Sequence, residues 1–263
     1  MMVKTTHIGS LPFLNIEDAI SYNKEFNLPV LSTLPNMSSN EFMINQLSIG
    51  ISGSSLINFK INIDELKFAP DFKLNFLMLD QFKSEFKKRD IKWQVIGPIT
   101  FIKSFEDSLS DSQVKKLLNW YQSVILNFYR DHKDSFKKIL FILDEPLFDI
   151  KFKSELVYIL DLLKKTDMDT GIHCCAKLEA CDLADIKPDY LSINCSLYNQ
   201  QELLSIKNIA PNLISGVVDT VSGDICYPIP EIIKTSKYFS PTCGLAYSEI
   251  KVCHKALSNL FHL

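Results

Sequence analysis

The run ILFILDEP, Ile139–Pro146, is apolar at every position up to Leu143 and then turns acidic at Asp144 and Glu145. A strand with one face in water alternates apolar and polar residues. A run this uniform instead predicts a strand buried on both faces, as in a parallel sheet covered by helices. The polar pair at its C-terminal end marks the edge where the loops of such sheets gather and where chemistry is done.

Seven other runs repeat the pattern: TTHIG (Thr5–Gly9), PVLSTL (Pro29–Leu34), WQVIGPIT (Trp93–Thr100), TGIHCC (Thr170–Cys175), YLSINC (Tyr190–Cys195), ISGVVDT (Ile214–Thr220) and FSPTCGL (Phe239–Leu245). Helix-patterned segments separate them. Asn15 reads as an N-cap with Asp18 three positions on, and SNEFMINQL and SDSQVKKLLNWYQSVILNFY open on Ser, Asn or Asp before amphipathic runs. Eight strand-then-helix units predict an α/β fold, a (β/α)8 TIM barrel, with an open doubly wound sheet as the rival. Residues 52–73 fit the alternation least and read as an insertion in a single domain spanning 1–263. The Phe-rich FKLNFLMLDQFKSEF reads as a helix facing the core.

At 263 residues and 46% hydrophobic content, the chain can bury one large core. A net charge of −3 supplies no basic patch for nucleic acid or an anionic membrane. No signal-peptide core or membrane-length apolar run is present, so a soluble cytoplasmic protein is expected. All seven cysteines fall between Cys174 and Cys253, a usage that suits thiolate chemistry in a reducing compartment better than a disulfide framework. The two arginines, Arg89 and Arg130, read as lying on polar helix faces, which leaves no bidentate clamp for a polycarboxylate.

The expected reactive edge collects His7 and Ser10 from the first unit, Thr100 from the third, Asp144 and Glu145 from the fourth and His173–Cys175 from the fifth. Asn194 and Cys195 end the sixth, Asp219 the seventh and Cys243 the eighth. Strand alternation sends His173 and Cys175 to one side and Cys174 to the other. With Ile172 and Cys174 facing helices, His173 and Cys175 face the interior. Cys243 sits between Pro241, which restricts the approach, and Gly244, which allows a sharp turn. One imidazole and two thiolates with an open position form a catalytic zinc set. Core packing is the plain alternative for His-x-Cys in a buried strand, and the third cysteine on another strand end weighs against it. A redox pair is weaker still, because CC lacks the two-residue spacer. Two thiolates make a zinc ion better suited to lowering the pKa of a substrate thiol than to generating hydroxide, which implies alkyl transfer to sulfur.

Taken in order, TTHIGSLP, GPIT, LDEP, GIHCC, GVVD and SPTCGL resemble the catalytic barrel of cobalamin-independent methionine synthase, most closely its short single-barrel relatives. The wider superfamily includes uroporphyrinogen decarboxylase and corrinoid-dependent methyltransferases. The resemblance implies one Zn2+ held by His173, Cys175 and Cys243, and a thiol acceptor, homocysteine, whose amino-acid part is held by Ser10 and Asp144, with Gly9 and Thr100 beside them. Asp144 can pair with an ammonium group, and Ser10 can bond a carboxylate where no arginine is at hand. A helix-capping role is the plain alternative for Asp144; Glu145 points the other way and reads as structural.

The departures matter as well. Asn194 stands where the full-length enzymes carry a glutamate after the sixth strand, so Asn194, Cys195 and Asp219 are candidates for a fourth ligand or for a group behind the ligands. The tryptophan expected near GPIT is missing, with Ser104 nearest, and Val221 lies where a proton-donating histidine would follow GVVD. Demethylating a tertiary amine requires protonation of the leaving group. The missing proton donor therefore favours a methyl-corrinoid donor such as methylcobalamin, carried on a corrinoid protein partner, over a folate. A non-catalytic barrel that binds a thiol, metal or corrinoid protein is the alternative function; a decarboxylase is disfavoured by the scarcity of arginine. His7 either orients substrate or packs against a helix, and His132, His254 and His262 read as helical packing or surface residues.

Overall fold

The computed structural model describes residues 3–57, 60–62, 65–105, 109–226 and 229–263. The runs that are apolar on both faces become one curled parallel sheet. Its strands are β1 (Val30–Leu31), β4 (Asp90–Ile96), β5 (Lys138–Asp144), β6 (Asp169–Cys174), β7 (Tyr190–Asn194), β8 (Asn212–Val218) and β9 (Tyr238–Pro241), in that spatial order. A two-stranded antiparallel ribbon, β2 (Ser55–Ile57) with β3 (Lys60–Asn62), stands apart from it within the segment 52–73. That segment is held to the body by Phe68, which stacks 4.8 Å from Trp120.

The TTHIG segment makes isolated bridges rather than a ladder, and its bonds run to both edge strands. Thr6 donates to Phe239 O (3.0 Å) and Leu245 to Ser10 O (3.0 Å) on one side. On the other, Leu28 donates to Thr5 O (3.1 Å) and Thr33 to Gly9 O (2.9 Å).

Helices α1 (Ile16–Lys24), α2 (Met43–Ser48), α3 (Leu79–Glu85), α4 (Pro98–Lys103), α5 (Asp111–His132), α6 (Lys153–Leu163), α7 (Ala180–Leu183), α8 (Gln200–Ile209) and α9 (Ile250–Phe261) fall between the strands. Among the described residues no helix is long and apolar enough to cross a membrane. Asn15 caps α1 by accepting the Asp18 N–H at 2.8 Å. The long α5 is amphipathic; its Phe128 packs 4.4 Å from Trp93 of β4, on the outer face of the sheet. On the inner face Leu28, Leu140, Ile142, Tyr190 and Ile214 form a separate apolar plug.

Two local expectations are corrected. The Phe-rich stretch is helical only over Leu79–Glu85. Before it Leu74, Phe76 and Met78 are buried at every second position, the spacing of extended chain, so this half covers the core without coiling. Arg89 lies not on a helix but in the turn before β4, next to Lys88 at φ 59, and donates to Phe26 O.

Candidate metal centre and adjoining cleft

Above the apolar plug, the inward positions of the same strands turn polar. His173 of β6 and Ser192 of β7 are register partners. Their side chains meet, His173 Nδ1 lying 2.9 Å from Ser192 Oγ. The imidazole is buried and its Nε2 has no partner. If Nδ1–H donates to the serine, Nε2 carries a free lone pair.

Cys175, one residue beyond the end of β6, and Cys243, two beyond the end of β9, meet this imidazole. The ligand atoms of His173, Cys175 and Cys243 all lie within 4.8 Å of one another. Contact with Cys243 and with His173 pulls the Cys175 thiol well below the ordinary thiol range, while the same contact and burial push the Cys243 thiol up. The pair gives up one proton readily and resists losing the second. A divalent cation removes that resistance, because it takes the place of the shared proton. An orphaned buried nitrogen and two thiols in contact thus fit zinc, which binds sulfur at about 2.3 Å and imidazole at about 2.0 Å. Cys174 faces the helices, fully buried, its thiol pushed up to about 12 by burial, and takes no part.

The three candidates for a fourth position are engaged elsewhere. Asn194 Oδ1 accepts from Ser196 N (3.1 Å) and Oγ (2.7 Å). Cys195 is buried, its thiol pushed up to about 11 by desolvation. Asp219 Oδ1 accepts from Val221 N (3.0 Å) and Ser222 N (2.7 Å), bonds that hold its carboxyl below the ordinary range. Asn194 and Asp219 each cap a turn that begins where the strand ends, and neither Cys195 nor Asp219 joins the three-residue group.

Next to the thiols, a cleft of about 250 Å³ is lined by Ser10, Glu41, Met43, Thr100, Asp144 and Tyr247, among others. Gly244 joins the two halves: a Cβ there would stand 2.3 Å from Ser10 Oγ, so any larger residue would have to turn the Ser10 hydroxyl out of its present position. Burial raises the Asp144 carboxyl, His173, Gln94 and Lys92 pull it down, and Cys175 pushes it up. Asp144 caps no helix. That role belongs to Glu145, which accepts from Ile99 N (2.9 Å) and Thr100 N (2.7 Å) at the start of α4. Thr100 lines the cleft, but its hydroxyl is spent, donating to Glu145 (2.7 Å) and accepting from Leu147 N. Gly9 contributes its carbonyl to Thr33 and does not line the cleft.

His7 takes the packing role, Nε2 lying 3.0 Å from Asn23 Oδ1 with the ring against Phe26. His254 packs edge-on to Tyr22 and His132 to Phe128. A larger hollow of about 460 Å³, lined by Cys195, Tyr198 and Cys226 among others, contains none of the three clustered residues.

Sequence reasoning missed Glu41, whose carboxylate accepts from Leu34 N and Leu77 N at 3.0 Å each, and the exposed Tyr247 at the rim. It also missed Lys92 and Gln94, both fully buried. In IKWQVIG they occupy alternate positions of an otherwise apolar strand.

No protein-family model matches the sequence, and no curated protein matches it. Among solved structures, that of a B12-independent methionine synthase from Shewanella sp. W3-18-1, in complex with selenomethionine, superposes with a TM-score of 0.71. The two sequences are 13% identical, and the match covers 99% of this chain and 96% of that one. End to end, this chain has the fold of that methionine synthase.

Proposed function

We propose that this chain is a zinc-dependent methyltransferase that prepares a thiol, homocysteine, for methylation. In this reading the segment around Thr5–Ser10 is the eighth stave of a closed (β/α)8 barrel forming one domain. The observation that carries the proposal is the unpaired Nε2 of His173 converging with two thiols beside a cleft that contains Ser10 and Asp144.

His173, Cys175 and Cys243 would hold the ion. A zinc ion bound there would lower the pKa of a substrate thiol from about 8.5 and supply a nucleophilic thiolate at neutral pH. Asp144 takes the substrate's ammonium, and the Ser10 hydroxyl donates to its carboxylate. Ser192 holds the His173 ring in the orientation that presents Nε2. The selenomethionine held by the Shewanella protein supports an amino acid of this shape as the ligand. That protein is B12-independent, so the methylcobalamin donor and the corrinoid protein partner expected from the sequence are not part of the proposal.

Metal analysis and calorimetry test this together. The purified protein is expected to hold one zinc per chain and to bind L-homocysteine only when zinc-loaded. Asp144→Asn should keep the metal and weaken homocysteine by about tenfold to a hundredfold, the range for a lost charged hydrogen bond. Methyl transfer is read with methylcobalamin and methyltetrahydrofolate in parallel. A protein that holds no zinc, or whose affinity for homocysteine ignores zinc, sinks the proposal.

A further inference from the structure

Beneath the cleft lies a second polar layer. Lys92 and Gln94 share the face of β4 that ends in Ile96, and Ile96 is both a wall of the cleft and the register partner of Asp144. Both side chains are fully buried. Gln94 sits directly under the N-terminal segment, since a Cβ added at Gly9 would stand 3.4 Å from its Cδ. The Lys92 ammonium donates to the carbonyl of His7.

The twelve ion pairs among the described residues include neither Lys92 nor Asp144. The two groups nonetheless interact. Lys92 and Gln94 lie on the same face of the sheet as Asp144, four and two positions below its register partner Ile96, and Asp144 counters the burial that disfavours the Lys92 ammonium. Gln94 lies between the two along that face, and neither its amide nitrogen nor its amide oxygen has a hydrogen-bond partner.

As core filling, this pair is expensive. A buried amide without full partners is costly, and a buried ammonium more so, where methionine would occupy the same volume without either penalty. A direct Lys92–Asp144 pair would offset part of that cost but would also consume the carboxylate.

We propose that Lys92 and Gln94 are positioning residues that hold the Asp144 carboxylate as the anchor for a substrate ammonium, the lysine from beyond pairing distance and the glutamine from alongside. The carboxylate is thereby partly compensated while the cleft is empty and keeps its pairing capacity for the ligand. This inference rests on the reading that the cleft takes an amino acid.

The test compares L-methionine with 4-(methylthio)butanoate, which is methionine without its amino group, by titration calorimetry on the zinc-loaded protein. The wild type is expected to prefer methionine at least about tenfold, and Asp144→Asn to erase that preference. Gln94→Met and Lys92→Met should each reduce the preference by about threefold to tenfold while leaving zinc content and affinity for the amine-free ligand unchanged. Gln94→Asn, which draws the amide back by one methylene, should behave like Gln94→Met and replaces it if that variant does not fold. Full preference in the Gln94 and Lys92 variants, with Asp144→Asn still defective, overturns the inference. A wild type that binds both ligands equally overturns the amino-acid reading beneath it.

Discussion

His7 and His173 are buried to the same degree, at 0% and 1% exposure, and sit at corresponding ends of strand-like segments. Their surroundings differ in one respect that decides their roles. His7 lies in the outer shell, where Nε2 meets Asn23, Nδ1 approaches the Ile8 carbonyl, and Phe26 and Tyr22 cover the ring. His173 lies at the inner mouth, where Nδ1 meets Ser192 and Nε2 meets no hydrogen-bond partner. Burying a polar atom without a partner is costly, so an orphan nitrogen on a ring that meets two thiols is better evidence of a ligand site than burial or residue type.

Truncating each ring separates the two regions most sharply. His173→Ala should lower zinc affinity by about a thousandfold or more, since a zinc–protein affinity of about 10–16 kcal/mol is spread over three or four ligands. Its effect on the stability of the metal-free protein should be small by comparison. His7→Ala should do the reverse, keeping one zinc per chain and losing about 3 kcal/mol of unfolding free energy through the cavity and the unpaired Asn23. Chelator competition measures the first and urea unfolding the second. Equal zinc loss in both variants would erase the distinction.

Acid provides the next largest contrast. Burial, aided by Lys92, lowers His7 from 6.5 to about 3. The unfolded chain therefore binds a proton that the folded chain refuses throughout that interval. Stability from this group is complete above pH 6.5 and is lost as the pH falls toward 3, at up to about 1.4 kcal/mol per pH unit. Urea unfolding of wild type and His7→Asn at pH 7.5, 6.5, 5.5 and 4.5 isolates the effect, because every other titration appears in both curves. The difference should shrink in favour of the variant by about 2 kcal/mol between pH 6.5 and 4.5; parallel curves would mean that His7 protonates in place.

The same contrast explains what was legible in the sequence. Strand runs such as ILFILDEP could be read because burial on both faces removes polar residues from the whole run. The convergence of His173, Cys175 and Cys243 could be read because strand alternation and chain order place all three at one edge. Lys92 and Gln94 escaped because they enter a hydrophobicity pattern as noise; only the register of β4 against β5 shows them stacked beneath Asp144. Asn194 and Asp219 could not be separated into ligands and caps, since the decision lies in turns whose backbone closes on the side chain. Leu74, Phe76 and Met78 read as helical in the sequence because the Phe residues that follow recur at helical spacing, although their own spacing is two.

The smallest expected effect concerns the partner of each imidazole. Asn23 serves His7 as Ser192 serves His173, but Asn23 Oδ1 also accepts from Val30 N at 2.7 Å, so its loss strands a backbone donor as well as a ring. Asn23→Ala should therefore cost stability and leave zinc untouched. Ser192→Ala removes the bond that fixes the ring and its tautomer while the three ligand side chains remain in place. The imidazole then spends part of its time with the proton on Nε2, where it competes with the metal. Groups of this kind are worth about tenfold to a hundredfold in metal affinity, and a neutral hydroxyl belongs at the low end. Ser192→Thr keeps the hydroxyl on the same strand position and should restore most of the loss. If Ser192→Ala binds zinc as tightly as wild type, the 2.9 Å contact does not set the tautomer, and the orphaned Nε2 loses its explanation as a prearranged ligand.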